Sequence, residues 1–106
     1  MKHFAACINA APPLPRQCGG VYLLMWPGGV YCGQTVQGFA TRWEEHLSDL
    51  RRGYHVNDAL RAAWRAYGDL HATVLWIGAK AQARPMEVWY MQQLRARGYV
   101  LANEVG

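Results

Sequence analysis

The sequence predicts a small α+β domain in which a mostly antiparallel three-stranded sheet is flanked by helices, in the order ββααβα. Two observations lead to this prediction. Strand-forming residues flank a Pro-Gly-Gly turn in the first third of the chain, and apolar residues later recur at helical spacing in three separate stretches. With 106 residues the chain has the usual size of one domain, so we expect a single core.

The first predicted element is a β-hairpin, because β-branched, aromatic and apolar residues precede and follow Pro27-Gly28-Gly29. Side chains alternate along a strand, so a loop of two or four residues places Tyr22 and Tyr31 on the same face of the hairpin, whereas a three-residue loop places them on opposite faces. In the two-residue register Gly33 lies opposite Tyr22, and we expect open space in front of the phenol.

A helix follows, since apolar residues from Phe39 to Leu50 recur at helical spacing and Gly53 is a typical helix stop. A second helix is predicted from about residue 56 to 67, with Asn57 or Asp58 as its cap and Gly68 as its stop.

The third strand is predicted at Ala72 to Ile77, where β-branched and apolar residues cluster. Pro85 is favourable in a first helical turn and opens the final helix, which is predicted to end near Gly98.

Residues 1–18 are predicted to be an N-terminal arm that packs loosely, because Pro12, Pro13 and Pro15 oppose regular structure; the domain itself is expected at residues 19–106. No run approaches the roughly 20 apolar residues of a membrane span. We therefore expect a cytoplasmic protein that makes no membrane contact.

Charge and cysteine usage narrow the function classes. Lys and Arg total 11 against 7 for Asp and Glu, and the formal charge of +4 favours a polyanionic partner such as nucleic acid, although basic proteins also use charge for solubility. Cys7, Cys18 and Cys32 are odd in number and form no CxxC pair, so neither a disulfide framework nor a zinc site is implied. No phosphate-binding loop, dinucleotide fingerprint or common protease signature occurs.

Two polar residues lie on the apolar side of the first helix. Arg42 is costly there unless it is paired or lies in a site, and the simpler interpretation is an ion pair with Glu45. His46, one turn later, is either part of a site or an ordinary histidine at the edge of the core.

The other candidates also have simple interpretations. Tyr22 and Tyr31 suit half-buried strand positions without any function. Glu87 is predicted in the first turn of the last helix, where the helix dipole already favours a carboxylate. Its functional interpretation is an oxygen ligand for a Mg²⁺ ion that keeps several waters and also contacts a phosphate.

Taken in order, Gly20-Val21-Tyr22, Tyr31-Cys32-Gly33, Arg42, His46 and Glu87 resemble the GIY-YIG nuclease family. The resemblance covers residues 19–103, and Val21 and Cys32 replace the isoleucines of the family's two short motifs. It implies a DNA endonuclease that hydrolyses phosphodiester bonds by in-line attack of water. The runner-up is a basic DNA-binding module of the same fold with little or no activity.

The resemblance also implies residue roles. Glu87 would hold one Mg²⁺ or Mn²⁺ ion, Arg42 would neutralise charge on the phosphoryl group, and Tyr22 would be the general base, with a pKa lowered by the metal or by Arg42. Tyr31 and His46 would orient the water or help carry its proton. DNA is the expected partner. The oligomeric state is left open, and a homodimer and a partner protein are two alternative sources of specificity. Three further residues are candidates for substrate binding: His55, Asn57 and Asn103.

Overall fold

The computed structural model describes residues 4–54, 57–68 and 70–104. These ranges contain four α-helices, three strands and two short 3₁₀ turns, and from the first strand onward they follow the predicted ββααβα order. The α+β fold class is therefore confirmed. In chain order the elements are α1 Phe4–Asn9, β1 Cys18–Trp26, β2 Gly29–Thr35, α2 Phe39–Arg52, α3 Asp58–Tyr67, β3 His71–Ala79, a 3₁₀ turn Lys80–Gln82, α4 Ala83–Ala96 and a second 3₁₀ turn Ala102–Glu104.

The strands form one antiparallel sheet in the order β2-β1-β3. Trp26 pairs with Gly29, which leaves a two-residue loop, and Gly28 in that loop has φ of 94°, a conformation that glycine adopts readily. In this register Tyr22 pairs with Gly33, and Tyr31 pairs with Leu24 two positions along β1. Tyr22 and Tyr31 therefore share a face of the sheet, as the two-residue loop predicts.

Each face of the sheet packs against different helices. One face carries Tyr22 and Leu24 and is covered by α1, α2 and α3; the opposite face carries Val21 and Leu23 and is covered by α4 and Leu101. Because neighbouring strand residues point in opposite directions, β1 supplies side chains to both cores, and it is buried over most of its length.

The N-terminal segment differs from the prediction of a loosely packed arm. Residues 4–9 form helix α1, and Phe4, Cys7 and Ile8 are 0%, 5% and 7% exposed in the core beside α2 and β3. The prolines begin only at Pro12, after the helix has ended, so they do not prevent it from forming. The spacing of the three buried residues places them on one side of a helix.

The ends of the middle helices follow the predicted signals. Gly53 ends α2 in the left-handed conformation, with φ of 74°. Asn57 caps α3, because its Oδ1 accepts a hydrogen bond from the Leu60 N–H at 2.9 Å, and Gly68 follows the last turn with φ of 76°. Within the described ranges, the helices are too short or too polar to cross a membrane.

Candidate active site

A buried hydrogen bond joins Tyr22 on β1 to His46 on α2. The Tyr22 Oη and His46 Nε2 atoms are 2.6 Å apart, and the two residues are 0% and 1% exposed. His46 is buried because it lies on the same side of α2 as Trp43, Leu47 and Leu50, which face the sheet. A short hydrogen bond in this dry setting fixes the orientation of both rings.

The phenol of Tyr22 lies directly over Gly33. A Cβ atom added to Gly33 would be 2.5 Å from Tyr22 Cζ and closer still to the hydroxyl, a separation that real side chains do not show. The expectation of open space in front of the phenol is therefore wrong. Glycine does leave room on β2, but the Tyr22 side chain leans across the strand pair and fills that room itself.

Tyr31 and Arg42 lie next to this pair. The rings of Tyr31 and His46 meet edge to face with centroids 5.3 Å apart, and Tyr31 is only partly buried, so its phenol is the more accessible of the two. Arg42 makes the ion pair with Glu45 that the simpler interpretation predicts, at 3.5 Å, and its side chain is 34% exposed. The same guanidinium also interacts with both phenols.

Burial dominates the titration of the phenols. It raises the pKa of Tyr22 well above its ordinary value, and the positive charge of Arg42 offsets only part of this effect. Burial also raises the pKa of Tyr31, again opposed by Arg42. The expected lowering of the Tyr22 pKa by Arg42 is therefore wrong for the protein alone, because desolvation of the phenolate outweighs one partly exposed cation.

Glu87 approaches the hairpin from α4, on the other side of the sheet. Its negative charge contributes to raising the pKa values of Tyr22, Tyr31 and Cys32. Burial raises the pKa of Glu87, although Arg84 opposes this effect through an ion pair at 3.6 Å. The Glu87 side chain is only 13% exposed, whereas that of Arg84 is 78% exposed.

The position of Glu87 along its helix corrects one prediction. Helix α4 begins at Ala83, two residues before Pro85, and its first turn contains no acidic residue. Glu87 therefore lies in the second turn, since the 3₁₀ turn that leads into the helix allows an earlier start than the proline suggests. The helix dipole acts mainly within the first turn, so it does not by itself explain a mostly buried carboxylate here.

The donor atoms fit an open divalent-cation site. Mg²⁺ is commonly held by one or two carboxylates together with waters and substrate phosphates, and Glu87 supplies one carboxylate in a setting where a cation would relieve its burial. In residues 4–54, 57–68 and 70–104 no three His, Cys, Asp or Glu side chains cluster as a metal cage would require. An ion held by Glu87 would therefore have to take its other ligands mainly from water and substrate.

The three weaker candidates differ in outcome. The Asn57 amide also donates to the Ala102 carbonyl at 3.2 Å, besides capping α3. Asn103 accepts from the Cys32 N–H at 2.9 Å and donates to the Cys32 carbonyl at 2.7 Å, so its amide continues the sheet edge. These bonds give both asparagines structural roles, and substrate contact by either stays a prediction. His55 lies outside the described residues.

One residue that positions the site is not among the predicted site residues. Thr35 is 4% exposed, and its Oγ1 accepts hydrogen bonds from the Gln37 and Gly38 N–H groups at 3.2 Å each. This turn joins β2 to α2 and therefore sets where Arg42 lies relative to Tyr31. A threonine just before a helix is a recognisable signal for such a turn.

Comparisons of the chain with family models, curated proteins and solved structures each found no match.

Proposed function

We propose that this protein is a divalent-metal-dependent DNA endonuclease. One observation carries the proposal: His46 contacts both Tyr22 and Tyr31, and the charges of Arg42 and Glu87 act on both phenols, although these side chains are far apart in the sequence. Such a set is suited to phosphodiester hydrolysis. The set consists of Tyr22, Tyr31, Arg42, His46 and Glu87. The positive formal charge of +4 is consistent with a DNA substrate.

Arg42 and Glu87 have the clearest roles in this proposal. The Arg42 guanidinium is partly exposed, beside the more accessible phenol, where it binds a phosphate and neutralises charge that accumulates on it during attack. Glu87 holds the ion. When bound, Mg²⁺ or Mn²⁺ supplies Lewis-acid stabilisation of a non-bridging oxygen and of the leaving 3′ oxygen. One ion per site suffices for this chemistry.

The tyrosines and His46 divide the handling of water and protons. Tyr31 is the accessible phenol and orients the attacking water. Tyr22 is buried and its pKa is raised, so it does not act as a free phenolate. As the attacking water gives up a proton to the Tyr22 oxygen, the phenol passes its own proton to His46 Nε2, which leaves Tyr22 neutral and His46 protonated. In this form Tyr22 remains the base, and His46 is the final acceptor.

A second candidate function is DNA binding without cleavage. It is favoured by the burial of Tyr22 and His46, which keeps both of these candidate bases out of contact with solvent. The basic charge and the partly exposed Arg42 would support phosphate contacts in this function as well.

Incubation of the protein with supercoiled plasmid and Mg²⁺ or Mn²⁺, with and without a chelator, separates the two functions. Endonuclease activity predicts nicked or linear plasmid only when metal is available. Glu87→Gln and Arg42→Ala should each reduce the cleavage rate by about 10²-fold or more. Glu45→Gln is the matched control, because it removes the surface ion-pair partner of Arg42 and should cleave like wild type. Intact plasmid and intact branched DNA, despite DNA binding, would support the binding module.

A further inference from the structure

The two edges of the sheet are treated differently by the rest of the chain. On the outer edge of β2, the Val30 N–H donates to the Val100 carbonyl at 3.0 Å, and Asn103 pairs with both backbone groups of Cys32. The residues that follow α4 thus close that edge. The other edge is β3, which lies beside β1 only.

The closed edge shows which backbone groups of β3 point outward. The backbone groups of Val30 and Cys32 point away from β1. The β2 residues that alternate with these two therefore bond to β1. The β1 residues that lie opposite Val30 and Cys32 must then bond to β3. Of these, Leu23 pairs with Thr73. The direction of the backbone groups alternates along β3, and the bulge opposite Val21 and Tyr22 adds one residue to this alternation. Four residues therefore direct their N–H and C=O groups outward: Ala72, Val74, Ile77 and Ala79.

These outward groups have no hydrogen-bond partner within the part of the chain that the structure describes. At the bulge, the Leu75 carbonyl has a hydrogen-bond partner, because it accepts from Tyr90 Oη at 3.1 Å. Unpaired strand edges normally carry Pro, or Lys and other charged residues, that prevent association with another strand. Residues 71–79 contain no Lys, Arg, Asp, Glu or Pro, and Ile77 is 39% exposed. This edge lacks those safeguards.

A cavity of about 680 Å³ runs along the first half of the same edge. Its lining consists of four successive β3 residues, 71–74, residues 10–12 after α1, and Cys7 and Trp43 from α1 and α2. Successive residues point to opposite faces of a sheet, so a cavity that is lined by all four reaches the open edge of the strand, beside the face that α1 and α2 cover. The cavity is therefore a groove that can admit the end of another strand.

We propose that β3 pairs antiparallel with β3 of a second copy of this chain, forming a continuous six-stranded sheet. A two-fold axis between Val74 and Ile77 sets Val74 of one copy opposite Ile77 of the other, and Ala72 opposite Ala79. All four outward positions are then paired, and no charged side chain of β3 faces another. The end of β3 from each copy enters the groove beside residues 10–12 of the other.

The second copy is favoured over an unrelated peptide because the edge contains its own complement. Its four outward positions form two matched apolar pairs under one two-fold rotation, as an isologous interface requires. The pairing also buries Ile77, whose exposed apolar side chain otherwise lies in solvent. The dimer leaves the strand that carries Tyr31 outside the interface, since β2 lies on the far edge of each sheet.

Amide hydrogen exchange followed by NMR at low and high protein concentration, together with sedimentation equilibrium, tests the pairing. We expect reversible dimers, with protection of Ala72, Val74, Ile77 and Ala79 that appears only at high concentration. The amides of Thr73 and Trp76, which bond to β1, should be protected at both concentrations. Protein that stays monomeric throughout, or that dimerises without protecting the outward amides, would overturn the proposal.

A pair of charged variants gives a second measurement. Ile77→Lys places a cation at the centre of the pairing and should weaken dimerisation by about tenfold or more, because burial of an unpaired charge is costly. Val88→Lys is the matched control, since Val88 is an apolar residue of similar exposure, 42%, on α4. Circular dichroism verifies that both variants fold. Equal dimerisation of wild type and Ile77→Lys, or loss only in Val88→Lys, contradicts pairing through β3.

Discussion

Gly33→Ala is expected to disrupt the site without changing any residue that bears its chemistry. The added Cβ would lie 2.5 Å from Tyr22 Cζ and closer to the hydroxyl, so the phenol must move. Tyr22 is 0% exposed and its ring packs edge to face on Phe39, Trp43 and His46, so the ring has little room in which to move. The hydrogen bond to His46 is the contact that gives way first.

The cost follows from two effects. Overpacking a well-filled core by one methyl group costs about 1–3 kcal/mol. Loss of the buried bond between Tyr22 and His46 adds about 1–3 kcal/mol if a polar atom is left without a partner. Alanine itself fits the backbone, because Gly33 is not among the glycines with positive φ. We therefore expect the free energy of unfolding to fall by about 2–6 kcal/mol.

Chemical denaturation of Gly33→Ala measures this loss, and plasmid cleavage below the unfolding transition measures the effect on the site. Gln34→Ala, at the next position of β2, is the control for a general weakening of the strand. A Gly33→Ala protein with wild-type stability and wild-type cleavage would refute the close packing of the phenol on Gly33. Equal losses in both variants would show that β2 is simply sensitive to substitution.

Three further substitutions test separate features. The raised pKa of Glu87 means that its charged form is less favourable in the folded state than in the unfolded state, so stability falls as pH rises from the ordinary value of 4.5 through the raised value. Glu87→Gln should thus raise the melting temperature at neutral pH and make the melting temperature depend less on pH. A pH profile of the melting temperature that matches wild type would contradict this prediction. Asn103→Ala should lose about 1–3 kcal/mol of unfolding free energy, because Cys32 loses two hydrogen bonds; undiminished stability with weakened DNA binding would instead indicate a substrate contact. Phe4→Ala should lose about 3–5 kcal/mol in chemical denaturation, whereas a loose arm would lose almost nothing.

Local signals predicted the elements that position the site. The Pro-Gly-Gly turn predicted the hairpin, Gly53 and Gly68 predicted the helix ends, and Asn57 predicted the cap of α3. Each of these signals depends only on residues a few positions away in the sequence. Tyr22 and Tyr31 were predicted on one face for a loop of that length, since alternation along a strand is a fixed rule.

Tertiary contacts could not be predicted in the same way. Helix α1 is short, and only the packing of Phe4 against distant elements distinguishes it from an arm. The partner of Asn103 is Cys32, 71 positions earlier, and no local rule relates the two. The raised pKa of Tyr22 likewise depends on how completely the helices cover it, which spacing along the chain does not reveal.

The candidate site draws on both faces of the sheet, and this explains its dependence on the hairpin register. Tyr31 and Cys32 are neighbours in the chain whose side chains point to opposite faces of the sheet. Tyr31 packs against His46 of α2, whereas Cys32 lies under α4, the helix that carries Glu87. The negative charge of Glu87 acts on both residues, although they lie in different cores. A shift of one residue between β1 and β2 would exchange the two faces, turning Tyr31 toward α4 and away from His46 and Arg42. The two-residue loop is therefore a requirement of the site as well as of the fold.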